Sequence, residues 1–82
     1  NPFNPTTTIG YDLPKDTHVK LMVYNILGQS VITLIDASET AGSKNVVWHG
    51  KDSLGRDVSA GVYLVVLQSA DFTATRKVVL LK

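Results

Sequence analysis

An all-β sandwich is the fold class that this chain predicts, and three observations carry that expectation. Short segments rich in Val, Ile, Thr, Tyr and Leu recur along the 82 residues, separated by Gly, Pro, Asn, Asp and Ser. No segment repeats its apolar residues with the spacing of a helix face. The longest β-type run, residues 62–67, follows a polar, glycine-punctuated stretch that begins just after Trp48. Around that pair the chain divides into about six or seven strands of roughly five to nine residues each.

The length fits one domain. Folding at this size buries only ~60–65% of the unfolded chain's surface, and a hydrophobic content of 44% suffices for one core. Residues 6–82 are expected to form a single β-sandwich domain, and residues 1–5 a linker end or boundary segment. The net charge is +1 and the eight basic residues are scattered, which argues against nucleic acid as a partner and against an anionic membrane surface. There is no cysteine, hence no disulfide framework and no thiolate metal site, although this leaves the compartment open. No apolar run approaches the ~18 residues of a membrane helix, so no direct membrane insertion is expected. There is no signal-peptide pattern. The chain begins at Asn1 and not at Met, which suggests a piece of a longer protein with an N-terminal neighbour.

The elements follow in order. In Asn1-Pro2-Phe3-Asn4-Pro5 each proline pushes the preceding residue towards extended geometry. The segment is either a stiff linker end or a place where Phe3 folds back onto the sandwich edge. Residues 6–11 form a short strand, and Pro14 soon after argues for an edge position. Residues 13–16 turn the chain. Residues 18–25 alternate cleanly, with Val19, Leu21 and Val23 on one face and Lys20, Met22 and Tyr24 on the other. Residues 25–29 make a turn in which Gly28 takes positive φ, and residues 30–35 return as a hairpin. Residues 36–44, DASETAGSK, are polar and small and read as a loop; one helical turn capped by Asp36 or Ser38 is the alternative. Residues 45–49 form the Trp48 strand. Residues 50–60 are expected to be a hairpin-like loop holding that strand against the central strand, residues 62–68. A tight turn at 69–71 leads into the last strand, 72–81, with Phe72, Ala74, Arg76, Val78 and Leu80 on one face.

Tests for chemistry are negative. Residues 50–57, GKDSLGRD, nearly match a phosphate-binding loop. Arg56 stands where lysine is needed, Asp57 replaces the magnesium-binding hydroxyl, and no helix follows. Asp52 and Asp57 lack the ligand pattern of a calcium loop; Asp52 is expected to make a side-chain turn and Asp57 to pair with Arg56 or Lys51. His18 and His49 have no zinc spacing and belong on solvent faces. No nucleophile elbow is present. Trp48 is expected to anchor the core; an exposed aromatic row that binds sugar is the alternative. No catalytic, cofactor-binding or metal-binding residue is assigned, and no cofactor.

An ordered set of motifs carries a resemblance. Asn1-Pro2-Phe3-Asn4-Pro5-Thr6-Thr7 with Ile9 and Tyr11, Leu13-Pro14, and residues 23–29 (VYNILGQ) open it. Ala41-Gly42, residues 47–50 (VWHG), Asp52, Gly55-Arg56, Val58, Gly61-Val62-Tyr63 and residues 76–82 (RKVVLLK) continue it. The set resembles the C-terminal sorting domain of the bacterial type IX (Por) secretion system, itself similar to the immunoglobulin-like domain of flagellar hook-capping proteins. The resemblance implies an immunoglobulin-like sandwich of about seven antiparallel strands in two sheets. It implies a non-catalytic module at the C-terminus of an exported bacterial protein. Such a module directs covalently linked N-terminal cargo domains through the outer-membrane secretion machinery to the cell surface, where a sortase-like protease often removes it. The family's basic ending places translocon recognition at Arg76, Lys77 and Lys82, with Lys82 as the last residue of the parent. Gly61 and Tyr63 fit a tyrosine corner, in which the hydroxyl bonds back to nearby backbone; with Trp48 they are the expected structural residues. Val65 stands where the usual cysteine would be. The alternative is a passive structural, adhesive or carbohydrate-binding module beside an extracellular enzyme, and a flagellar-cap scaffold is a third.

Overall fold

The structure is a computed structural model and describes residues 6–81. The expectations for residues 1–5, Phe3 included, and for Lys82 lie outside the described residues. Six strands follow in order: β1 (Thr7–Leu13), β2 (Thr17–Asn25), β3 (Ser30–Glu39), β4 (Gly42–Trp48), β5 (Gly61–Gln68) and β6 (Thr73–Leu80). All pairs are antiparallel. β1 and β4 form a two-stranded sheet, and β3-β2-β5-β6, in that order, form a four-stranded one. The fold is an all-β sandwich, and its six strands among the described residues agree with the six or seven expected.

The period of two explains the core. On β2 the alternate residues Val19, Leu21 and Val23 are fully buried, and on β5 Tyr63, Val65 and Leu67 are buried in the same alternation. Ile9, Tyr11 and Leu13 answer from β1 in the other sheet. Each such side chain removed from water stabilises by about 1.5–3 kcal/mol. The β2–β3 hairpin is closed by Asn25. Its Oδ1 accepts from the backbone amides of Leu27 (2.9 Å) and Gln29 (3.0 Å), and its carbonyl accepts from Gly28 at 3.0 Å. Gly28 sits at φ 80°, where a Cβ would be strained.

Two expectations fail. Residues 36–44 are not a loop: β3 runs to Glu39 and β4 starts at Gly42, so only Thr40 and Ala41 lie between. β3 is the outer strand of its sheet, and its small polar residues need only pair with β2, as Ala37 does with Val19 and Ser38 with His18. Asp16 Oδ1 accepts from the Ala41 amide at 2.8 Å and fixes the corner. Next, the Trp48 and Val62 strands are not a hairpin. They lie in different sheets, because Trp48 pairs with Thr7 and Tyr63 pairs with Asn25 and Val78. Residues 49–60 therefore carry the chain across the sandwich. Ala74, Arg76, Val78 and Leu80 do share one face of β6, but that face is covered along only part of its length. Val78 and Leu80 are buried and Phe72 is half-buried, whereas Ala74 and Arg76 are exposed. The narrow β1–β4 sheet covers only part of the wide sheet's inner face.

Trp48 is 1% exposed, and its ring meets Tyr63 edge to face, with centroids 5.0 Å apart and planes at 73°. Burial removes Trp48 from any sugar-binding row. Replacing so large a buried side chain by alanine costs about 3–5 kcal/mol. That is most of the stability of a domain near the low end of the usual ~5–15 kcal/mol range. Trp48→Ala is therefore expected to be largely unfolded by circular dichroism; a cooperative transition near that of the unsubstituted protein would contradict its anchoring role.

Candidate functional site

The 49–60 crossing is built by hydrogen bonds to its own backbone. At its start the Trp48 indole Nε1 donates to the Lys51 carbonyl at 2.9 Å. At its end the Tyr63 hydroxyl donates to the Ser59 carbonyl, four residues back, at 2.6 Å. That is the geometry of a tyrosine corner. Gly61, at φ 144°, starts the strand in a conformation that side chains disfavour.

Between these anchors Asp52 organises the loop tip. Its Oδ1 accepts from the amides of Leu54 (2.9 Å) and Arg56 (3.0 Å), and its Oδ2 accepts from Arg56 Nε at 3.0 Å. Hydrogen bonding from the Arg56 amide, ahead of that from Leu54 and the guanidinium, holds the Asp52 carboxyl below its ordinary value. Lys51 and Asp57 form a backbone bridge and a side-chain ion pair. Arg56 is thus the partner of Asp52, and Lys51 that of Asp57. Both aspartates face protein donors, and among the described residues no three His, Asp or Glu side chains gather as a metal would require.

His18 bonds Asp36 across the β2–β3 pair, Nε2 to Oδ1 at 2.6 Å, with both side chains more than half exposed. His49 is exposed as well. Two longer contacts had no signal in the local sequence. The Tyr11 hydroxyl of β1 donates to the Glu39 carboxylate of β3 and ties the two sheets together. Burial first, and then this carboxylate, push the Tyr11 hydroxyl well above its ordinary value. Arg76 Nη1 of β6 donates to the Gly10 carbonyl of β1 at 2.8 Å, a second tie between sheets. The partners are 28 and 66 residues apart, and no periodicity or motif links positions so distant.

The structure separates the three basic residues of the ending. Arg76 reaches inward to Gly10, whereas Lys77 is exposed opposite Leu64 on the outer face of the wide sheet. Lys82 lies outside the described residues.

Two antiparallel sheets, an aromatic pair between them and a tyrosine corner define an immunoglobulin-like β domain. The family model described as the FlgD Ig-like domain matches residues 3–71, and the chain belongs to that family. A solved structure of FlgD from P. aeruginosa is similar, with a TM-score of 0.73 and 28% sequence identity. The similarity covers 92% of this chain and 58% of that one, so the domain spans little more than half of that relative. No curated protein matches.

The pH dependence of the loop follows from the direction of the Asp52 shift. A depressed folded pKa stabilises the fold above the unfolded value, near 3.8, and the benefit is lost as pH falls through the folded value. Thermal midpoints of the protein and of Asp52→Asn should differ at neutral pH and converge in acid below that value. Calcium and chelator should leave both midpoints unchanged. A rise with calcium that Asp52→Asn abolishes would instead make the loop a metal site, since a bound ion stabilises by ~2.7 kcal/mol at a hundredfold excess over its dissociation constant.

Proposed function

We propose that this domain is a non-catalytic C-terminal sorting and anchoring module, directing a secreted bacterial protein through the outer membrane to the cell surface. The observation that carries the reading is the exposure of the last strand. β6 is an outer strand of its sheet, and of its eight residues only Val78 and Leu80 are buried. A determinant written there, Lys77 above all, is readable on the folded domain without unfolding it. Val79 and Leu81 add apolar surface beside it, at 50% and 75% exposure. β6 also lies beyond residues 3–71, where the family model matches. The ordered motifs from Asn1 to Lys82 supply the rest of the support. In this reading the partners are the outer-membrane secretion machinery and a sortase-like protease, and the linked N-terminal domains are the cargo.

Membership of the FlgD Ig-like family favours a second reading, a passive structural module of the kind used in hook-capping proteins. Both readings need the same sandwich and differ in whether its C-terminal strand is recognised.

The separating experiment is a double substitution, Lys77→Ala with Lys82→Ala, in the complete protein that carries the domain. Both changes spare Val78 and Leu80, so the core stays intact. Sorting predicts cargo retained in the periplasm with the domain still folded. Normal surface display would contradict the sorting role and leave the structural one.

A further inference from the structure

The sandwich is open along one side. Among the described residues β1 has a single strand partner, β4, and none lies beside its second edge. Below that edge the inner face of β6 is uncovered, since Ala74 and Arg76 lie in register with the buried Val78 and Leu80 yet are exposed. The gap is a cavity of about 120 Å³, bounded by Gly10 on one sheet and Ala74 and Arg76 on the other, with Leu21 and Leu67 of the core at its floor. This is room for one aliphatic side chain, far below the ~300–1,000 Å³ that encloses a free small ligand. The Arg76 guanidinium bridges the gap at the Gly10 carbonyl. Arg76 has no carboxylate partner among the described residues.

We propose that this seam is an acceptor for an incoming β-strand: an extended peptide segment, with one apolar and one acidic residue two positions apart on its inward face, that adds to the free edge of β1. Strand addition supplies backbone hydrogen bonds along β1, and pockets beneath alternate side chains supply selectivity. One inward apolar residue fills the cavity over Leu21 and Leu67 and covers Ala74. The incoming amide takes the Gly10 carbonyl from Arg76, and the freed guanidinium pairs with a carboxylate of the strand, in the fork geometry that arginine favours. Arg76 therefore holds the site closed in the free protein and reads charge in the bound one. The opposite outer strand is a poorer acceptor. The β2–β3 register slips twice, between Leu21 and Met22 and between Val23 and Tyr24, and such irregularities blunt an outer strand. Antiparallel self-pairing of β6 about its centre would oppose Arg76 and Lys77 of two copies, and like charges facing each other are unfavourable. The proposal stands whether or not the domain sorts cargo.

The test titrates the isotope-labelled 82-residue chain with an end-blocked octapeptide, Thr-Val-Thr-Glu-Thr-Val-Thr-Glu, in which Val and Glu share one face, and with its counterpart carrying Lys in place of Glu. The expected result is amide shifts confined to β1 between Thr8 and Asp12 and to Ala74–Arg76, with slowed hydrogen exchange on β1, for the glutamate peptide alone. Ala74→Trp, a change at an exposed position that fills the cavity, should abolish binding. Arg76→Gln should weaken it about tenfold. No shifts with either peptide would overturn the proposal. So would equal binding of the lysine peptide, shifts confined to β3 or to Lys77 and Val79, or undiminished binding to Ala74→Trp.

Discussion

The edge-to-face contact of Trp48 with Tyr63 is the constraint on which the rest of this domain depends. The two rings end and begin strands of different sheets, so their 5.0 Å separation fixes how the sheets meet. Edge-to-face aromatic pairs add about 0.5–1.5 kcal/mol beyond the area they bury. Their polar ends do further work: the indole N–H holds Lys51 at the start of the crossing and the phenol holds Ser59 near its end. A twelve-residue connection, residues 49–60, is thus clamped at both ends by the side chains that form the centre of the core. Asp52 needs only to shape the tip between those clamps.

This construction uses the polar atoms of Trp48, Asp52 and Tyr63 to hold the backbone of the crossing. The carboxylates of the crossing bond turn amides, Lys51 and Arg56, and the histidine–carboxylate contact of His18 with Asp36 is exposed to water. The domain offers outer strands, and the last of them has the largest share of exposed residues and the most cations per length. A narrow sheet over a wide one also leaves part of an inner face uncovered, so the side of the sandwich that bears β1 and β6 carries backbone, apolar and charged groups together.

The legible parts of the fold were those where one local pattern has one physical meaning. The alternation of residues 19–24 can only bury Val19, Leu21 and Val23 together. Asn25 with Gly28 specifies a tight turn, and a tyrosine shortly after Gly61 finds backbone behind it. The illegible parts depend on which strand lies beside which. Residues 36–39 carry no apolar signal because an outer strand needs little, so polarity there cannot tell strand from loop. Trp48 and Val62 look like hairpin partners because they are close in sequence, yet the size of the loop permits a crossing as readily as a return. Arg76 was legible as a cation and as an inward-facing position. Its bond to Gly10 was not, because it depends on the narrowness of the opposite sheet.

The most direct test of the central claim is hydrogen exchange at the Trp48 indole N–H. If the Trp48–Tyr63 pair joins the sheets and clamps the crossing, this proton exchanges only when the whole domain unfolds, with the same opening free energy as the core amides of Val65 and Leu21. Exchange at the rate of a free indole, or through an opening much easier than that of those amides, would contradict it.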